Sequence, residues 1–142
     1  MNYFITAIDT NIGKTVVSAV LCKALGYSYW KPIQCGDLDF SDTMKVKKWA
    51  PDTITFKESY SLKYPLSPHE ASRRSNVKVK MENFILPTND SLIIEGAGGL
   101  MVPLNNNGDL VIDIAKKVDD KIIVVIKNYL GSINHSLLTL DY

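Results

Sequence analysis

The stretch T-A-I-D-T-N-I-G-K-T-V-V, residues 6–17, ends its polar part in Gly13-Lys14-Thr15. A glycine, an ammonium and a hydroxyl in succession, between an apolar strand and a helix, suit one chemistry: gripping a phosphate chain. Amides of Asn11, Ile12, Gly13, Lys14, Thr15 and Val16 would wrap the phosphates, helped by the positive end of the helix. Lys14 would reach the outer phosphates and the Thr15 hydroxyl would ligate Mg²⁺. Ala7 and Ile8 stand where such a loop ordinarily begins with its first glycine. Held left-handed, an alanine costs about 1–2 kcal/mol; at an ordinary φ it costs nothing. A chance Gly-Lys-Thr at a strand-to-helix turn is the alternative. The strand before it and the helix after it favour the phosphate loop.

Two carboxylates extend this reading. Asp42 opens a helix after the second strand, and Glu95 ends an apolar strand. In open parallel sheets ligands bind beyond the carboxyl ends of the strands, so Thr15, Asp42 and Glu95 should converge there. A hydroxyl and two carboxylates are hard oxygen donors suited to Mg²⁺. For Asp42 alone a helix cap is as good a reading. Glu95 demands a partner wherever it sits, because a buried charge does. Lys31 ends a strand at the same edge and could neutralise anions, although surface lysines are common. Gly96, Gly98 and Gly99 let the backbone approach a ligand, or simply turn. His69 and His135 have no carboxylate or metal partner in the sequence, and His135 reads as capping or packing. There is no Asn-Lys-x-Asp segment for guanine selection, and Asp9 stands where some partitioning ATPases place a second loop lysine.

These groups need a scaffold. Residues 3–7 read as a buried strand, and residues 14–25 as a helix with Val17, Val20, Leu21 and Ala24 on one stripe and Gly26 as its cap. Residues 27–33 read as a second strand weakened by Pro32, residues 36–41 as a loop, and 42–49 as a helix capped by Ser41-Asp42. Residues 51–69 lack a period; a short strand is expected at 53–56. Ser67 should cap a helical turn with Pro68 in first position. Residues 79–86 are weakly helical, 91–94 a strand, 111–118 a helix, 122–126 a buried strand and 132–140 a helix. Alternating strands and helices predict an α/β fold with a mostly parallel central sheet and helices on both faces. We read residues 1–142 as a single domain.

Composition narrows the classes. The chain has 142 residues, 46% of them apolar, and a net charge of +1 from 16 basic and 15 acidic side chains. That is enough chain for a sizeable core. The charge balance gives no footprint for nucleic acid or an acidic membrane. Cys22 and Cys35 lack metal spacing, no disulfide is expected, and the style is cytoplasmic. The first residues lack the basic start of a signal peptide, and residues 122–126 are too short to span a bilayer.

Taken together the motifs resemble the dethiobiotin synthetase family of P-loop proteins. The matching segments are D-T-N-I-G-K-T (residues 9–15), K-P-I-Q-C-G (31–36), S-D (41–42), S-P-H-E-A-S (67–72), E-G-A-G-G-L-M-V-P-L (95–104) and L-G-S-I-N-H-S-L-L-T (130–139). The first is generic to phosphate loops; the fifth and sixth are specific.

The resemblance implies a three-layer P-loop fold and ATP with Mg²⁺. It implies closure of the ureido ring on 7,8-diaminopelargonate with CO₂, by a cytoplasmic homodimer. Lys14, Lys31 and Thr10 would be catalytic. Thr10, Lys31, Cys35, Gly98, Leu130, Gly131 and Asn134 would bind substrate, the last three from the neighbouring subunit. Cys35 stands where the family often has serine, and Asn11 where it often has an acid. The family's chain runs on past the position of Tyr142 to help hold the adenine, so we expect a chain truncated at that end. A different amide-forming P-loop ATPase, or a nucleotide-dependent switch without small-molecule chemistry, are the competing classes. The glycine loop and residues 130–134 favour a small-molecule pocket.

Overall fold

The computed structural model describes residues 1–89, 91–118 and 121–142. Seven strands and five α-helices follow in the order β1 (Tyr3–Ala7), α1 (Lys14–Leu25), β2 (Ser28–Trp30), β3 (Ile33–Cys35), α2 (Asp42–Trp49), β4 (Thr55–Phe56), β5 (Tyr60–Leu62), α3 (Pro68–Arg74), β6 (Leu92–Glu95), α4 (Val111–Val118), β7 (Lys121–Val125) and α5 (Ser132–Asp141) among the described residues. Five strands form one parallel sheet in the order β4-β2-β6-β1-β7. This is the expected α/β architecture.

Side-chain alternation along the strands assigns the two faces. Phe4, Trp30, Leu92 and Ile94 point to one face, where they pack with Val111, Ile114, Ala115 and Val118 of α4. Ile5, Tyr29 and Ile93 point to the other, against Ala19 and Cys22 of α1 and Val46 of α2. Helices therefore cover both faces. At about 25 cal/mol per Å² of buried apolar surface, these two layers are the main source of stability.

The bounds of α1 match expectation, and Gly26 caps it in the left-handed conformation at φ 69°. Its buried stripe does not. Ser18, Ala19 and Cys22 face the sheet, while Val20 is 60% exposed. Small side chains let the helix lie close to the sheet, and that outweighs the larger valines.

Four further expectations need correction. The strand expected to be buried at 122–126 is β7, which lies last in the sheet order among the described residues, with Ile122 42% exposed. The strand read over residues 27–33 is two strands: Pro32 has no N–H to give a ladder, so β2 stops at Trp30 and β3 pairs instead with β5 in a separate two-stranded parallel ribbon. Residues 79–86 hold only a 3-10 turn at Met81–Asn83. Ser67 sits before α3 but its side chain makes no capping hydrogen bond. Ser41 does cap α2, its Oγ accepting from the Met44 amide at 3.3 Å. No described helix is long and apolar enough to cross a membrane.

Candidate active site

The phosphate-loop segment leaves the buried end of β1. Ala7 is fully buried and is not among the residues with positive φ, so it carries no left-handed strain. The left-handed turns fall instead on Asn11 (φ 58°) and Gly13 (φ 111°). Asparagine is among the few non-glycine residues that tolerate this region. The Thr10 amide donates to Asp9 Oδ1 at 2.6 Å, tightening the turn. Gly13 then starts α1, whose first-turn amides have no intrahelical partner. Lys14 is 7% exposed and folds back, Nζ donating to the Asp9 carbonyl at 3.1 Å. Burial, reinforced by the nearby Lys31 charge, lowers its pKa.

Strand register places the charged groups. Trp30 is beside Ile94, so one residue further Lys31 meets Glu95. By alternation Glu95 shares its face with Ile93 and Tyr29, below the start of α1. Thr15 lies one helical turn before Ala19 on the sheet-facing stripe, which delivers its hydroxyl to the same point.

The resulting cluster is tight. Thr15 Oγ1 donates to Glu95 Oε1 at 2.9 Å, and Lys31 Nζ donates to that oxygen at 3.0 Å. Lys31 Nζ also lies 2.8 Å from Asp42 Oδ2 and 3.2 Å from the Gly96 carbonyl. Glu95 Oε2 accepts from the Tyr29 hydroxyl at 2.9 Å. Lys45 Nζ reaches Asp42 Oδ1 at 3.1 Å. Burial alone would discharge Lys31, but Glu95 and Asp42 outweigh it and raise its pKa. Burial likewise opposes ionisation of Asp42, and Lys31 and Lys45 reverse that, holding its carboxyl below the usual range. The Tyr29 phenol is pushed well up by burial and by the Glu95 charge.

These groups open into a cleft of about 710 Å³, within the size range of small-molecule sites. Thr10, Asn11, Gly13, Lys14, Thr15, Val16, Lys31, Cys35, Asp42, Glu95 and Gly98 all line it. Cys35 is half-buried on β3, and burial pushes its thiol up to about 11. At Gly98 the backbone is left-handed (φ 69°), and a Cβ there would lie 2.9 Å from Val102 Cγ2 and 3.7 Å from Thr10 Oγ1. Only glycine keeps that side of the cleft open.

Ile12 does not line the cleft; nor do Leu130, Gly131 and Asn134. Those three stand at the exposed start of α5, Leu130 wholly in solvent. His135 binds the Tyr129 hydroxyl through Nδ1 at 2.7 Å, a local packing contact.

Two residues at the cluster escaped the sequence reading. Tyr29 reads as an ordinary strand aromatic, and its link to Glu95 exists only because β2 lies beside β6. Gln34 is 4% exposed; its Oε1 accepts from the Asp42 amide at 3.2 Å and its Nε2 donates to the Gly36 carbonyl at 2.9 Å. It thereby aims the first turn of α2. The signal for both was a polar side chain in a buried strand, which must find a partner.

The cluster fits a hard divalent cation. Its donors are oxygens only, two carboxylates and a hydroxyl, already gathered around one ammonium. Among the described residues no group of three or more His, Cys, Asp or Glu could hold a metal alone. Water and phosphate oxygens would complete the shell, as is usual for Mg²⁺.

The family model described as AAA domain matches residues 1–142. An ATP-dependent dethiobiotin synthetase BioD of Christiangramia forsetii is 49% identical over 143 residues, covering 99% of this chain and 68% of the relative. Its counterpart in Cytophaga hutchinsonii is 48% identical, with 96% and 68% covered. The Lawsonia intracellularis protein of the same name is 44% identical, with 99% and 68% covered. A phosphate loop, a lysine between a strand-end glutamate and a helix-start aspartate, and identity of this order over nearly the whole of this chain lead to one conclusion: the chain belongs to the ATP-dependent dethiobiotin synthetase family.

Proposed function

We propose that the protein uses ATP and Mg²⁺ to close the ureido ring of dethiobiotin from 7,8-diaminopelargonate and CO₂, a ligase step of biotin biosynthesis. The observation that carries the reading is the Lys31 ammonium. It is set between Asp42 and Glu95 (2.8 and 3.0 Å) and shares a cleft with Lys14 and Thr15.

One amine of the substrate captures CO₂ and loses a proton, giving a carbamate. A carbamate oxygen takes the γ-phosphoryl group as ADP leaves. The second amine attacks the carbonyl, loses its proton, expels phosphate and closes the ring. Transfer of this kind asks the protein for positioning and charge neutralisation rather than covalent chemistry. Lys14 and the loop amides hold the phosphates; Lys31 faces the point where carbamate and phosphate, both anionic, must meet. Thr10, Cys35 and Gly98 shape the wall beside that point. Thr15, Asp42 and Glu95 would hold Mg²⁺, whose charge offsets that of the phosphates when bound.

Leu130, Gly131 and Asn134 lie outside the cleft, and we assign them to the substrate carboxylate of a neighbouring copy in a homodimer. A left-handed glycine at a helix start (Gly131, φ 101°) offers amides to such an anion.

The test is phosphate release with ATP, Mg²⁺ and bicarbonate, with and without the diamine. Release that requires the diamine is the expected result. Release indifferent to it would overturn the assignment in favour of a nucleotide switch or another ligase.

A further inference from the structure

The two oxygens of Glu95 keep different company. Oε1 faces the cleft, where Thr15 and Lys31 reach it. Oε2 faces the interior and accepts from the Tyr29 hydroxyl. Both residues are almost completely buried, Tyr29 at 0% and Glu95 at 1% exposure. The reach is set by the sheet. Tyr29 is in register with Ile93, two residues before Glu95. Two residues of strand span about 7 Å, and the phenol is the side chain long and rigid enough to cover it. Its ring is buried in one apolar cluster with Ile5, Ala19, Cys22, Val46 and Ile93.

We propose that Tyr29 is a positioning residue: it locks the inner oxygen of Glu95 so that the outer one alone is presented to the cation. A carboxylate without that lock could turn about its last bond or swing from the cleft. Partners behind a metal ligand fix its orientation in this way, and their loss typically lowers metal affinity about 10–100-fold. The inference rests on the metal role given to Glu95 above.

The experiment is Mn²⁺ binding to the full chain in the presence of ADP, followed by electron paramagnetic resonance. Nucleotide affinity in EDTA and thermal stability are measured alongside. Tyr29→Phe should raise the Mn²⁺ dissociation constant about 10-fold or more and leave ADP affinity in EDTA within about twofold. In a Glu95→Gln background, Tyr29→Phe should add nothing. A variant that is less stable yet binds Mn²⁺ like the native protein overturns the inference, because a packing role alone would do that. Mn²⁺ binding that Glu95→Gln leaves intact overturns both this inference and the metal assignment. If Tyr29→Phe does not fold, 4-aminophenylalanine and 4-fluorophenylalanine at position 29 replace it. They match in shape, but only the amine donates. The amine should keep Mn²⁺ affinity and the fluoride lose it; equal affinities overturn the inference.

Discussion

Lys31 Nζ lies 2.8 Å from Asp42 Oδ2, joining the residue that follows β2 to the first turn of α2. The same ammonium is 3.0 Å from Glu95, and both Lys31 and Glu95 are nearly inaccessible to water. Removing it would leave a buried carboxylate without its counter-charge, a loss typically of about 3–5 kcal/mol. Lys31→Met should therefore lower the melting temperature. If Lys31 also stabilises charge in the transition state, kcat should fall by about 10²-fold or more while nucleotide affinity changes little. Melting curves, steady-state kinetics and nucleotide titration on one preparation would check this. An unchanged kcat would remove Lys31 from the mechanism.

Lys14 makes a contrasting case. Its ammonium donates to one backbone carbonyl, that of Asp9, and burial already disfavours its charge. Lys14→Ala should abolish turnover and weaken nucleotide binding, yet cost the free protein less stability than the change at Lys31. Titration with a fluorescent nucleotide beside a melting curve reports both. Undiminished nucleotide affinity would argue against the phosphate role.

Asn11 holds φ 58° in the loop. Asn11→Gly should be tolerated, since glycine enters that region freely. Asn11→Val should cost about 1–2 kcal/mol of loop conformation and weaken nucleotide binding about tenfold, the equivalent of 1.4 kcal/mol. Equal affinities for the two variants would show that the loop does not depend on this turn.

Cys35 lines the cleft, yet burial pushes its thiol from an ordinary 9.0 to about 11. The thiolate is the reactive form. At pH 8 the protein should therefore hold about 100-fold less of it than a free thiol would, by that difference of two in pKa. Iodoacetamide labelling at position 35 should be correspondingly slow at pH 8, rise about tenfold per pH unit, and level off only near pH 11. Rapid labelling at pH 8 would mean that the thiol is not held neutral.

How far the sequence carried these conclusions depended on where the information lay. Local signals were legible: α1 and α4 match their expected bounds, and Gly26 and Ser41 cap as their types suggest. Lys31, Asp42 and Glu95 could be listed together from one rule about strand ends. What could not be read was the lateral order of strands. Without knowing that β2 neighbours β6, Tyr29 has no reason to meet Glu95. Pro32 was visible as a weakness, but not that the chain beyond it joins a second sheet, because its partner β5 lies in the aperiodic stretch. The buried stripe of α1 departs from the apolar pattern of its sequence for a related cause. Hydrophobicity marks Val20, whereas close packing on a sheet selects Ala19 and Cys22.

The division of the strands at Pro32 has one more consequence. The phosphate loop hangs from the five-stranded sheet, while Cys35 rides on the ribbon of β3 and β5, and Lys31 is the last residue before the chain crosses between them. In the proposed reaction the energy source and the acceptor would thus be carried on separate platforms that meet at a single ammonium. Under that reading a change on the ribbon should alter acceptor binding while leaving the triphosphate grip as it was.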